Sequence, residues 1–196
     1  MSRPLPDLPP SIPRHGSAMA QRAGLLLLRC VGWRVSGTLP DCPKLVAAVA
    51  PHTSNWDFVI AFSASLALGV KISFLGKHSI FVWPFANLLR RFGGIPVQRQ
   101  QRHGVVTQLV SVFSEQQQLL LGIAPEGTRQ KVSQWRTGFW QIAKQAEVPI
   151  QLIGLDYASK TIVFGPLLQP GASFDADYPL MRTFFQQMQA KHRHNF

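Results

Sequence analysis

The sequence is poor in cysteine, in acidic residues and in long apolar runs, and each shortage excludes a class of protein. Its two cysteines, Cys30 and Cys42, have no metal-ligand spacing and are too few for a disulfide framework, which is typical of a reducing compartment. Nine Asp and Glu stand against twenty Lys and Arg, so the net charge of +11 predicts a polyanionic partner or surface. No run approaches the roughly 20 apolar residues that a membrane-spanning helix needs.

What the sequence does have is enough apolar material for one folded domain. Hydrophobic residues make up 46% and charged residues 15% of the 196 residues, the opposite of a disordered composition. Residues 1–22 are rich in proline and are predicted to form a flexible N-terminal tail, and residues 23–196 a single domain. Residues 23–35 are leucine-rich and interrupted by Arg29 and Arg34, a pattern that favours a helix lying in the interface plane of a membrane. An ordinary helix packed on the domain is the open alternative.

After this segment the chain alternates short apolar runs with segments of helical period. We predict strands over residues 44–50, 72–75, 94–98, 119–124, 150–155 and 161–164, the last at an edge, and helices over residues 55–68, 83–92, 105–118, 137–146 and 178–190. This alternation predicts an α/β fold with a mostly parallel central sheet flanked by helices. In such folds the functional site gathers at the carboxyl ends of the strands.

The first polar cluster follows the strand at residues 44–50 and contains His52 and Asp57. With His52 in the loop and Asp57 in the first helical turn, capped by Ser54 or Asn55, the carboxylate can accept from one imidazole nitrogen. The other nitrogen is then free to take a proton. The pair is half of a catalytic triad without its serine, so the hydroxyl that loses a proton can belong to a substrate.

Two further clusters follow later strands. In the first, Gly93 and Gly94 lead into a strand that ends near Arg99, whose guanidinium can hold a phosphate. The other runs from Ala124 to Arg129 and offers a carboxylate, a glycine, a hydroxyl and a permanent cation for ligand contact. Taken singly, each cluster is also compatible with a solvated arginine or an ordinary turn.

Together, the His-x4-Asp pair, the glycine-led strand with its Arg, the Pro-Glu-Gly-Thr-Arg run and Val148-Pro149-Ile150 resemble the glycerolipid acyltransferases, the lysophosphatidate acyltransferases and their relatives. The resemblance covers roughly residues 40–166. It implies transfer of an acyl group from acyl-CoA or acyl carrier protein to the free hydroxyl of a lysolipid, with 1-acyl-glycerol-3-phosphate as the leading acceptor. It also implies no metal, no cofactor and no acyl-enzyme.

By position, the resemblance makes His52 the general base and Asp57 its orienting partner. It assigns the acceptor's phosphate and glycerol to Arg99, Glu126, Gly127, Thr128 and Arg129. The implied location is the cytoplasmic face of a membrane, with peripheral or monotopic attachment to an anionic surface. The chain departs from the family where Ala124 precedes the Pro-Glu-Gly in place of a phenylalanine.

Three other functions are also compatible with the sequence. The charge suits a nucleic-acid-binding module, although no recognised motif for nucleic acid is present, and nucleic acid is not the partner we expect. A hydrolase with the same His-Asp pair needs an activated serine, and the sequence has no Gly-x-Ser-x-Gly elbow. A lipid-binding protein without catalysis is the third.

Overall fold

The computed structural model describes residues 5–14, 17–97 and 102–195. Its helices are α1 (Ala18–Val31), α2 (Asn55–Leu68), α3 (Phe85–Arg91), α4 (Arg102–Glu115), α5 (Gly138–Gln145) and α6 (Phe174–Phe185), with short 3-10 helices at His78–Ile80 and Arg193–Asn195. Its strands are β1 (Arg34–Ser36), β2 (Lys44–Ala50), β3 (Ile72–Lys77), β4 (Gly94–Val97), β5 (Leu119–Ile123), β6 (Ile150–Asp156) and β7 (Thr161–Leu168).

Within these described ranges, the seven strands form one sheet in the order β1-β7-β6-β2-β5-β3-β4. Strands β2 to β6 run parallel to one another, β7 is antiparallel to β6, and β1 is parallel to β7. The predicted mostly parallel sheet flanked by helices is therefore confirmed. Because β2 lies between β5 and β6, the loops that follow these three strands meet at one edge of the sheet.

Helices cover both faces of the sheet, and alternation along the central strands fills two cores. In β2, Leu45 and Ala47 face the core under α1 and α2, whereas Val46 and Ala48 face the core under α4, α5 and α6. The first face also holds a close helix contact at Gly24 of α1. A Cβ there would lie 2.5 Å from the backbone nitrogen of Ala67 in α2, so only glycine permits this approach.

The first helix begins earlier and ends earlier than residues 23–35 would suggest. Ser17 caps α1 by accepting from the Ala20 N–H, and Gly32 ends it in the left-handed conformation at φ 73°. Helix α1 therefore crosses the predicted boundary between tail and domain at residue 22. Further upstream, Ile12 is fully buried in the core under α1 and α2. The described residues before position 23 thus pack as part of the domain.

Two predictions at the second half of the chain need correction. Strand β7 is longer than residues 161–164 and does not form an edge, because it pairs with β6 on one side and with β1 on the other. The strand at that edge is the three-residue β1, which is too short to show an alternation of apolar and polar residues. The last helix starts at Phe174, not at residue 178, because the Ser173 hydroxyl caps it by accepting from Ala176 N–H.

Candidate active site

The first polar cluster forms a compact hydrogen-bonded loop between β2 and α2. Ser54 is the N-cap of α2, and its hydroxyl accepts from Trp56 N–H at 3.1 Å. In return, Asp57 Oδ2 accepts the N–H groups of Thr53 and Ser54, each at 2.7 Å. This capping box turns the carboxylate back over the loop. His52 Nδ1 lies 3.2 Å from the same Oδ2, so the predicted contact between His52 and Asp57 is present.

The two members of this pair differ in exposure. The His52 side chain is 25% exposed and that of Asp57 1%. Burial alone raises the pKa of the Asp57 carboxyl, but hydrogen bonds from His52, Tyr157 and the Ser54 backbone outweigh it. The net pKa of Asp57 lies below its ordinary value, so the carboxylate is charged at neutral pH and can stabilise a positive imidazolium.

A third side chain reaches this pair from a distant part of the sequence. Tyr157 follows β6, the neighbour of β2, and its Oη donates to Asp57 Oδ1. Tyr157 was not among the predicted site residues. The signal was its position at the carboxyl end of a strand, but the order of the strands is needed to place it beside Asp57.

The Pro-Glu-Gly-Thr-Arg loop after β5 brings Glu126 behind His52. Glu126 Oε1 accepts the backbone N–H of His52 at 2.9 Å, and the residue is only 3% exposed. Among the described residues, Oε2 is buried without a hydrogen-bond partner. Burial raises the pKa of Glu126 above its ordinary value, although the hydrogen bond from His52 opposes the increase. In this arrangement Glu126 supports the loop that carries His52, and its predicted contact with substrate stays a prediction.

The rest of that loop is open to solvent and bends sharply at Gly127. Gly127 has φ 64°, and a Cβ there would lie 2.9 Å from Cγ of Arg136. Thr128 is half-buried and Arg129 is exposed, and both line the same cavity as His52. Arg136, also absent from the predicted site residues, lines this cavity as well, and its backbone N–H donates to Pro125 O at 2.9 Å. The part of the cavity that this loop lines, called its mouth below, therefore carries two arginine side chains, and Glu126 of the same loop contacts the His52 backbone.

The cavity measures about 1450 Å³ and continues from this polar mouth along apolar side chains on both sides of the sheet. On the α2 side it is bordered by Phe58, Phe62 and Phe74, and on the α4 and α5 side by Val105 and Ile142. Ligand pockets with mostly apolar walls and a few convergent polar groups are the usual form of a small-molecule site. This one has room for a long hydrocarbon chain.

Arg99, the cation predicted at the end of the strand at residues 94–98, lies outside the described residues. The last described residue of that strand is Val97, which is buried and lines the cavity. Of the metal-ligating side chains in the described ranges, no group of three or more is placed to hold an ion. None of the described helices is long and apolar enough to cross a bilayer.

Comparison with known proteins gives one family and one fold. The family model described as Acyltransferase matches residues 38–155, more than half of the chain. The crystal structure of the 1-acyl-sn-glycerophosphate (LPA) acyltransferase PlsC from Thermotoga maritima superimposes with a TM-score of 0.64. That match covers 86% of this chain and 76% of the other chain, at 15% identity. No curated protein matches the sequence.

Proposed function

The chain belongs to the Acyltransferase family, and on that premise we propose that it transfers a fatty acyl group from a thioester carrier to a lysophospholipid hydroxyl. The observation that carries the proposal is the contact of His52 Nδ1 with Asp57 Oδ2 at 3.2 Å, at the mouth of a largely apolar cavity. The structural neighbour PlsC is a 1-acyl-sn-glycerophosphate acyltransferase, and we take 1-acyl-glycerol-3-phosphate as the first acceptor to test.

In the proposed reaction, His52 acts through Nε2, because Nδ1 is occupied by Asp57. A lipid hydroxyl is a weak nucleophile near neutral pH, so Nε2 removes its proton as the oxygen attacks the thioester carbonyl. The new C–O bond forms, the C–S bond breaks, and the same proton passes from the imidazolium to the leaving thiolate. Asp57 stabilises the imidazolium that exists between these two proton transfers. No covalent acyl-enzyme is needed.

The acceptor's anionic group is proposed to bind at the cationic side of the mouth. Arg129 and Arg136 both line the cavity, and a guanidinium can hold a phosphate with paired hydrogen bonds. Thr128 offers a hydroxyl in the same loop as Arg129, and Arg99, which follows β4 in the sequence, is proposed to add a further cation. Fixing the phosphate places the neighbouring glycerol hydroxyl near His52, which lowers the entropic part of the barrier.

The apolar part of the cavity is proposed to hold the acyl chain. Phe58 and Phe62 of α2 and Phe74 of β3 border it on one side, and their rings contact each other edge to face or stacked. Burying hydrocarbon there contributes roughly 25 cal/mol per Å² of apolar surface removed from water. The proposal does not depend on whether the thioester carrier is coenzyme A or an acyl carrier protein.

Such substrates are lipids, and we propose that the chain works at an anionic membrane surface, attached peripherally or monotopically on the cytoplasmic face. Helix α1 presents Met19 and Leu26 to solvent together with Arg22 and Arg29, at spacings that share one helix face. A mixed apolar and cationic face of this kind suits the lipid interface. Trp83, which is 89% exposed, adds an aromatic side chain of the type enriched at membrane interfaces.

The test is an acyl-transfer assay with a radiolabelled acyl thioester and a panel of lysolipids. Product should appear as diacyl lipid, depend on acceptor, and proceed without added metal. Release of free fatty acid alone would instead indicate a hydrolase, and acceptor binding without turnover would indicate a lipid-binding protein. Either of those results with every donor and acceptor pair would contradict the proposal.

A further inference from the structure

Tyr157 joins the His52–Asp57 pair at the carboxylate oxygen that His52 does not use. Asp57 Oδ2 accepts from His52 Nδ1 and from two backbone N–H groups, while Oδ1 accepts from Tyr157 Oη. The terminal torsion of an aspartate is broad and roughly two-fold, so a carboxylate held at one oxygen can still rock or turn. A donor at the second oxygen fixes the plane of the carboxylate, and the direction of the bond to the imidazole follows from that plane.

Tyr157 is itself held by the surrounding fold. Its backbone N–H donates to Gln189 O at 2.8 Å, in the segment that follows α6. Its ring packs edge to face on Trp33, with centroids 4.8 Å apart, and Trp33 is buried between α1 and β1. Three separate parts of the chain therefore place this phenol, which is more than an incidental surface contact would require.

The phenol is also in the right protonation state to act as a donor. Burial raises the pKa of Tyr157, and the hydrogen bond to Asp57 and the Asp57 charge raise it further. Tyr157 therefore keeps its proton throughout the neutral range, and Asp57, whose pKa is lowered, keeps its charge. The bond between them does not switch on or off near neutral pH.

We propose that Tyr157 is a positioning residue which, by fixing Asp57, holds neutral His52 in the tautomer that carries its proton on Nδ1. In that tautomer Nδ1–H donates to Asp57 and Nε2 offers its lone pair to a substrate hydroxyl. The catalytic meaning of this arrangement rests on the proposed function, whereas the tautomer is a property of the ligand-free chain. The two ideas can therefore fail separately.

The test compares Tyr157→Phe with Tyr178→Phe, which is a matched control because the sequence has only two tyrosines. Tyr178 Oη contacts Arg182 and takes no part in the His52 network. With ¹⁵N-labelled histidine, and His52 assigned by its loss in His52→Gln, the nitrogen shifts report the tautomer of the neutral ring. We expect Tyr157→Phe to raise the Nε2–H fraction of His52, and Tyr178→Phe to match the wild type.

In the transfer assay, we expect Tyr157→Phe to lower kcat about tenfold with little change in the acceptor KM. In a Ser-His-Asp triad, holding the histidine in the wrong tautomer lowers kcat about 10⁴-fold. The expected loss is smaller here, because Asp57 remains and Tyr157 only helps to orient it. Unchanged His52 tautomer populations in a folded Tyr157→Phe protein would overturn the proposal. A tautomer change in Tyr157→Phe, found together with a wild-type chain that transfers no acyl group, would support the positioning role and count against the proposed function.

A second measurement keeps the proposal testable if Tyr157→Phe does not fold. In the Tyr178→Phe background, 3-fluorotyrosine labels Tyr157 alone, and its ¹⁹F signal reports the phenol's hydrogen bond without removing it. We expect Asp57→Asn to move this signal, because the amide is a weaker acceptor than the carboxylate. A ¹⁹F signal that is insensitive to Asp57→Asn would show that the phenol does not engage Asp57, and the proposal would fall.

Discussion

Glu126 holds the backbone of His52 across a separation of 74 residues, with its Oε1 accepting the His52 N–H at 2.9 Å. The loop after β5 therefore supports the loop after β2, its neighbour in the sheet. Two carboxylates contact His52 in different ways: Asp57 contacts its ring, and Glu126 contacts its main chain. Their pKa values move in opposite directions, because hydrogen bonds outweigh burial at Asp57 and burial dominates at Glu126.

We expect Glu126→Gln to change how stability depends on pH. The folded-state pKa of Glu126 is raised, so above its usual value of about 4.3 the folded chain binds more protons than the unfolded chain. The unfolding free energy of the wild-type chain therefore falls as pH rises from the usual pKa of a glutamate to the raised pKa of Glu126. Glutamine cannot ionise and lacks this slope, so the unfolding free energy of the variant relative to wild type should increase across this pH range.

Urea unfolding followed by tryptophan fluorescence, at a series of pH values from 4 to 8, measures this difference. The amide also brings a donor to the buried Oε2 position, but that cost does not vary with pH, so the slope is the readout. Glu115→Gln is the control, because Glu115 is exposed at the end of α4. Parallel pH profiles for wild type and Glu126→Gln would show that burial does not raise the pKa of this carboxyl.

We expect His52→Ala to lower kcat/KM about 10²- to 10⁴-fold, the usual contribution of a positioned general base. The fold should survive, because His52 lies in a loop with its side chain 25% exposed. Steady-state transfer kinetics and thermal unfolding on the same samples separate the two effects. His78→Ala is the matched control, since His78 is exposed in a 3-10 helix away from the Asp57 network. A His52→Ala protein with near-normal transfer would remove His52 from the mechanism.

The sequence predicted local relationships well and distant ones poorly. His52 and Asp57 are five positions apart, and a capped helix start was enough to place the carboxylate on the imidazole. Tyr157 lies 100 residues from Asp57, and its contact exists only because β6 lies beside β2. Glu126 was recognised by its motif, but its burial against the His52 backbone depends on β5 lying on the other side of β2. Strand order depends on the tertiary fold, and the local pattern of a single sequence does not reveal it.

The same limit explains the errors at the edge of the sheet. Strand β1 has three residues and pairs with residues 161–163, so no local period marks it as a strand. Once β1 is present, β7 becomes an interior strand. Arg136 was overlooked for a similar reason, because it reaches the cavity only when the loop after β5 bends at Gly127 and places the two residues in contact.

We expect Arg129→Ala and Arg136→Ala to weaken use of a phosphorylated acceptor specifically. Hydrogen bonds to charged groups contribute about 1.5–3 kcal/mol, so kcat/KM for lysophosphatidate should fall roughly 10- to 100-fold. An uncharged acceptor such as monoacylglycerol lacks the phosphate and should be used almost as well as by wild type. The ratio of the two kcat/KM values is the measurement, and it cancels general losses of active protein.

Lys131→Ala is the control for charge alone, because Lys131 is exposed close to Arg129 in sequence and does not border the cavity surface that carries Arg129 and Arg136. It should leave the acceptor ratio unchanged. If both arginine variants keep the wild-type ratio, the phosphate site lies elsewhere.

Attachment to an anionic surface should show both electrostatic and apolar dependence. Juxtamembrane Lys and Arg contribute about 1 kcal/mol each against anionic lipid, and salt screens this attraction. The chain should therefore sediment with vesicles of phosphatidylglycerol and phosphatidylcholine at low salt and be released at high salt. Leu26→Glu on the exposed face of α1 should reduce binding at every salt concentration, whereas Leu180→Glu on α6, an equally simple exposed leucine change, should have a smaller effect. If Leu180→Glu reduces binding as much as Leu26→Glu, α1 is not the face that meets lipid, and charge alone accounts for the attachment.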